Sequence, residues 1–199
     1  SEACEIEIKI LGQPIGRQDQ YAASFGGINS IKFCSDGNVI VDPINISDQL
    51  KSRLSEEFTL IFTGQNRSAS AVLSNSEEEG KSAIENLIRI REQADEAREY
   101  LSSGNFSNLG RLLNEAWLMK KGISPNVSNH FLDEMYSRIM SNGANGAKLL
   151  GAGGGGFFLV HGDSEIREKL QSEFSSEHRF FPLNIDYNGS SIIFNDSRV

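Results

Sequence analysis

A chain of 199 residues, 38% hydrophobic and 23% charged, can bury one large core or two small ones. Its formal net charge of −8 argues against a nucleic-acid or membrane surface, and no apolar run approaches the roughly 20 residues of a membrane span. Two cysteines, Cys4 and Cys34, make no disulfide framework, and His130, His161 and His178 lack metal-ligand spacing, so reduced thiols, no bound metal and a cytoplasmic location are expected.

The opening SEACEIEIKIL has neither signal- nor transit-peptide character. Ile6, Ile8 and Ile10 alternate with charges and favour a strand, although Ala3, Ile6 and Ile10 also share a helical face. A polar loop, GQPIGRQDQYAASFGG, follows. Ile31 and Phe33 then lead into an Asp36-Gly37 hairpin turn, and Val39 to Val41 lead out. FTLIFTG reads as a buried strand ending at Gly64. The character changes near Ser74. A helix is expected from there to about Gly104, with Ser76 and Glu79 as its capping box and Ile84, Leu87, Ile88, Ala94 and Leu101 on one face. A second helix, 106 to 120, carries Phe106, Leu109, Leu112, Leu113 and Ala116, and Gly122 and Pro125 end it. A third, 127 to 142, carries Val127, Phe131, Met135 and Ile139, and stops at Asn142-Gly143. Beyond the glycine run at 151, Asp163 caps a helix over 164 to 175, and two short strands, FFPLNIDY and SIIF, are joined by Asn188-Gly189.

Gly151-Ala152-Gly153-Gly154-Gly155-Gly156 fits G-x-G-x-x-G letter for letter. A dinucleotide site needs a helix after those glycines, because the pyrophosphate sits on the helix N-terminus. Here Phe157-Phe158-Leu159-Val160 follows, an apolar β run, and no Gly-Lys-Ser/Thr makes a Walker motif. The stretch therefore reads as strand, tight glycine turn, strand. A simple turn needs one or two glycines, so the excess suggests that a phosphate or another loop approaches the backbone closely.

Asp19, between Gln18 and Gln20 in the polar loop, is read either as a turn aspartate or as a general base taking a proton from a hydroxyl. Together GRQDQYAASFGG and AKLLGAGGGGFFLV resemble the GHMP kinases, in the sugar-kinase branch that includes heptose 7-phosphate kinases and fucokinase-like domains. FTGQNRSAS and NEAWLMKKGISPNVSN support the resemblance, which runs through nearly all of the chain.

The resemblance implies an α+β fold, with residues 1–73 as the C-terminal part of a ribosomal-protein-S5-like domain and 74–199 as a ferredoxin-like GHMP C-terminal domain. It makes the opening segment the tail of a helix. It implies transfer of the ATP γ-phosphoryl, with Mg²⁺, to a sugar hydroxyl, expected to be the anomeric one of a heptose 7-phosphate. Asp19 takes the catalytic role. Arg17, Gln20, Thr63, Gly64 and Arg67 are the substrate-binding candidates, and Gly151, Ala152, Gly153, Gly154, Gly155 and Gly156 lie near the phosphates. Lys120 and Lys121 suit a helix C-terminus, and Lys148 is a further phosphate candidate. The family's P-x-x-x-G-L-G-S-S-A loop has no counterpart here. A truncated chain is therefore expected, one lacking most of the ATP and Mg²⁺ site and inactive alone. Partners are a sugar or sugar phosphate and ATP, and a homodimer is compatible. The alternative reading is a non-catalytic sugar-binding or regulatory relative with the same fold.

Overall fold

Strand β3 (Phe58–Phe62) organises the larger part of the fold, pairing on both edges. In the computed structural model, which describes residues 2–66, 81–123, 126–174, 177–191 and 193, β3 lies antiparallel to β5 (Phe157–His161) on one side and to β6 (Phe180–Pro182) on the other. β4 (Gly146–Leu149) closes the far edge, giving the order β4-β5-β3-β6. The fold is mixed α+β. Two compact units divide it: Ser1–Asn45 with Asn184–Val199, and Ile46–Leu183.

In the larger unit, helices α3 (Asp48–Glu57), α4 (Lys81–Ser103), α5 (Phe106–Lys121), α6 (His130–Ser141) and α7 (Ser164–Phe174) accompany the sheet. Period-two alternation sends Ile61, Phe158, Val160, Ala147 and Leu149 into one core, where they meet Trp117 of α5, Leu132 and Ile139 of α6 and Phe174 of α7. Each fully buried large apolar side chain contributes roughly 1.5–3 kcal/mol. The α5–β4 approach is close enough to require glycine: a Cβ on Gly146 would sit 1.9 Å from the Gly110 carbonyl oxygen.

The helices begin on side-chain caps. Asn105, Asn129 and Asp163 accept from the amides of Asn108, Leu132 and Ile166. Helix α6 starts later than expected, leaving Val127 ahead of it, buried, while Phe131 is partly exposed. Helix α4 forms with a different inner face. Ile84, Leu87 and Ile88 are 49%, 41% and 43% exposed, and Gln93 is buried instead. The reason is that α4 meets α5 through polar groups: Gln93 Nε2 donates to Glu115, and Asn86 Nδ2 to the Met119 carbonyl. The Ser76–Glu79 capping box lies outside the described residues.

In the smaller unit, Glu2–Cys4 is α-helical (α1) and continues as a π-helix over Glu5–Ile10. The strand that alternation alone favours does not form, and the segment is helical, as the family resemblance implies. Ile6 and Ile10 are exposed, so their alternation had no core to register against. The polar loop is also corrected: Gln18–Phe25 form helix α2, which places Asp19 in a first helical turn. β1 (Asn29–Phe33) and β2 (Val39–Pro43) pair as the expected hairpin about Asp36-Gly37. A hairpin at Asn188-Gly189 does not form among the described residues, and β6 ends at Pro182. Asp186 Oδ1 accepts from the Asn188 amide, and Ser190 N–H donates to the Ser24 carbonyl, so this segment is tied to the end of α2.

Candidate functional site

Two groups of candidate residues lie in different compact units, the aspartate group in the smaller and the glycine turn in the larger.

Asp19 lies in the first turn of α2, exposed, where a negative charge complements the helix dipole. It makes no hydrogen bond or ion pair with another described residue, so its carboxylate stands open to a ligand. Arg17 immediately precedes the helix and lays its guanidinium over the Phe33 ring, 5.1 Å from the centroid. Gly16, Arg17, Gln18 and Phe33 line a hollow of about 210 Å³. Gln20 faces the other way. It is buried, its Nε2 donates to Glu7 Oε2 at 2.6 Å, and its Oε1 has no partner among the described residues.

The glycine turn joins β4 to β5, whose register sets Leu149 opposite Phe158. The strand–turn–strand reading holds, and no helix opens at these glycines. Their crowding has a local cause. The Gly154 amide donates to the Val127 carbonyl and the Gly156 amide to the Gln65 carbonyl, both at 2.9 Å. A Cβ on Gly153 would lie 2.7 Å from the Val127 oxygen, and one on Gly155 2.6 Å from the Gln65 oxygen, at φ of +113° and +154°. Two loops thus grip the turn from its inner side. Gly151 and Gly156 have open space where a Cβ would be.

Thr63 forms the base of this grip. It is 1% exposed, and its hydroxyl donates to the Gly156 carbonyl at 3.0 Å while accepting from the Gln65 amide at 3.3 Å. Gly64 follows at φ +77° with open space beside it. Arg67 lies outside the described residues. Residues that carried no signal in the sequence complete the grip: Gln65 and Val127 act through backbone carbonyls, which any side chain supplies. Asn129 fixes Gln65 by donating to its Oε1 at 3.3 Å.

Two lysines flank the turn. Lys120 Nζ donates to the Gly151 carbonyl and Lys148 Nζ to the Leu149 carbonyl, the latter at 3.3 Å. Burial and the neighbouring Lys120 charge bring the Lys148 ammonium down to about 8, and burial also lowers Lys120. Lys121, next in sequence, instead pairs with Asp133 at 3.0 Å and lies over the Trp117 and Tyr136 rings. No helix among the described residues is long and apolar enough to cross a membrane.

Comparison with known proteins matches residues 83–178 to the family described as GHMP kinases C terminal. The chain is similar to the D-glycero-alpha-D-manno-heptose 7-phosphate kinase of Campylobacter jejuni, 37% identical over 182 residues, which cover 89% of this chain and 53% of that protein. It is 31% identical over 194 residues to a bifunctional fucokinase/GDP-fucose pyrophosphorylase of Arabidopsis thaliana, covering 93% of this chain and 18% of that one. Among solved structures, a D-glycero-D-manno-heptose 1-phosphate kinase from Bacteroides thetaiotaomicron superposes with a TM-score of 0.71 at 26% identity, over 94% of this chain and 51% of that one. The chain thus spans about half the length of the heptose kinases it matches, at 53% and 51%.

Proposed function

We propose, from the premise that this chain carries the C-terminal domain of the GHMP kinases, that it serves in ATP-dependent phosphorylation of a sugar, the acceptor being the anomeric hydroxyl of a heptose 7-phosphate. The 37% identity to a heptose 7-phosphate kinase carries this reading. In it, residues 1–73 derive from the family's N-terminal domain and 74–199 from its C-terminal domain.

Asp19 is the general base. An open carboxylate at a helix N-terminus can accept a hydrogen bond from the attacking hydroxyl and take its proton as the bond to phosphorus forms. Arg17 and Arg67 are the guanidinium candidates for the phosphate on the far end of the sugar, where bidentate donation suits a phosphate. Gln20 supports the site through Glu7 rather than by reaching outward. Thr63 acts by holding the glycine turn, and Gly64 leaves open space beside its backbone for the sugar. ATP supplies the phosphoryl group, and Mg²⁺ neutralises charge on it. No residue of this chain is assigned to the metal.

Phosphoryl transfer depends mainly on positioning and charge stabilisation. With no P-x-x-x-G-L-G-S-S-A sequence in these 199 residues, turnover is expected to require residues beyond them, while acceptor binding need not. Calorimetric titration with D-glycero-D-manno-heptose 7-phosphate, fucose and Mg-ATP tests this. Saturable binding of the heptose phosphate is expected, about tenfold or more weaker in Asp19→Ala, in line with the loss of a charged hydrogen bond. Indifference to Asp19→Ala would remove the aspartate from the site. Binding of fucose as tight as that of the heptose phosphate would remove the phosphate from the recognition.

A further inference from the structure

Helix α4 is oriented against its own composition. Asn86 and Gln93 turn inward to α5, and Gln93 is buried with its Oε1 unpartnered among the described residues. Ile84, Leu87 and Ile88, three and four positions apart on the outward side, are exposed. Burying an amide while three large aliphatic side chains face water opposes folding. The arrangement becomes favourable when the outward stripe is itself covered.

The charges around the stripe point to what covers it. Arg89 is committed within its own helix, to Glu92 at 3.7 Å and Glu96 at 2.8 Å. Glu85 and Arg91 are exposed and opposite in sign, and neither pairs with another described residue. They stand three positions before and three positions after Ile88. A two-fold axis at Ile88, perpendicular to two antiparallel copies of α4, therefore sets Glu85 of each copy level with Arg91 of the other. The same axis lays Ile88 on Ile88 of the other copy, with Ile84 and Leu87 beside it. Such a face is complementary to itself, because in an isologous contact the same residues serve both sides.

We propose that the outward face of α4, centred on Ile88, is a surface through which two copies of this chain pair antiparallel, joined by reciprocal Glu85–Arg91 ion pairs. The pairing does not depend on the kinase reading. A contact built on one helix from each copy lies at the small end of the range for stable complexes, so the dimer is reversible rather than obligate.

Sedimentation equilibrium of the 199-residue chain, over concentrations up to about 1 mM, tests this, with circular dichroism to check that each variant keeps its helices. The expected result is a monomer–dimer equilibrium that stops at two copies. Ile88→Lys should weaken it about tenfold or more. Glu85→Arg and Arg91→Glu, each alone, should also weaken it, since like charges then meet across the axis. Mixing those two variants should restore association, because the mixed dimer regains both ion pairs. A monomer at every concentration would overturn the proposal, as would association untouched by Ile88→Lys, no recovery on mixing, or a series running beyond two copies. Should a charge variant lose its helical signal, Ile88→Cys decides, in a chain with Cys4 and Cys34 replaced by serine. Mild oxidation should link two copies at the axis, and failure to link them would refute the pairing.

Discussion

The amide and the hydroxyl of Thr63 both donate to one oxygen, the carbonyl of Gly156, at 2.9 and 3.0 Å. A strand end is thereby fastened twice to the far end of the glycine turn. Thr63→Val keeps the shape and the amide bond, but removes the hydroxyl and leaves the Gln65 amide without its acceptor. A loss of about 1–2 kcal/mol is expected in urea denaturation, with faster hydrogen exchange at the Gln65 amide. Thr63→Ser should retain most of both. Equal stability of the valine and serine variants would show that the hydroxyl contributes nothing.

The glycines of the turn are not equivalent. Gly153→Ala and Gly155→Ala would drive a Cβ into the Val127 and Gln65 carbonyls at positive φ, and each should cost ~3 kcal/mol or more. Gly151→Ala meets nothing within 4 Å and should cost about 1–2 kcal/mol, from its left-handed backbone alone. Chemical denaturation of the three variants checks the order. A Gly151→Ala variant as unstable as the other two would contradict the packing account.

His161 should set an acid limit. It is 3% exposed, with Nε2 placed 3.3 Å from Glu57 and Nδ1 3.2 Å from the Asn145 amide nitrogen. A neutral ring donating to Glu57 and accepting from Asn145 satisfies both. Burial lowers its pKa below 6.5 even though Glu57 pulls the other way. The unfolded chain therefore binds the proton more readily, and stability should fall as pH drops below about 6.5. The urea midpoint between pH 7.5 and 5 should decline more steeply than in His161→Gln. Parallel slopes would refute this.

Lys148 acts at the opposite end of the scale. Its ammonium is held at about 8 in the fold and returns to 10.5 on unfolding. Between those values the unfolded chain carries the extra proton, so stability should rise as pH climbs from about 8 towards 10.5. Below 8, Lys148→Met should stabilise the chain, because a half-buried charge is removed. Melting temperatures at pH 7 and pH 10 for both proteins test the sign, and a methionine variant less stable at pH 7 would reverse it.

Elements with a strong period and a polar boundary were legible in the residues. The β1–β2 hairpin, β3, the glycine turn between β4 and β5, and α5 to α7 follow from alternation, helical spacing and the cap at Asp163, whereas the caps at Asn105 and Asn129 were not read from the residues. Helix α3 was missed because its apolar residues are few, with Leu54 alone buried, although Ser47 caps it at the Leu50 amide. Helix α4 was legible as a helix but not in its orientation, since Gln93 and Asn86 turn inward. Within the candidate site, Thr63 was legible as important, but not as a buried clamp. That role depends on a carbonyl 93 positions away, and no local pattern encodes it. The carbonyls of Gln65 and Val127 were invisible for the same reason.

The strand order has a consequence for the chain as it is made. β3 is complete once residue 62 has been added, yet its neighbours are β5 and β6, and Thr59 bonds to a carbonyl 122 positions further on. At ordinary translation speeds that separation corresponds to roughly 6–25 seconds. Until β5 is made the nascent FTLIF segment has both hydrogen-bonding edges bare and an apolar face uncovered, and its β6 edge stays bare for the whole interval, which makes it a stretch in need of a chaperone on the ribosome.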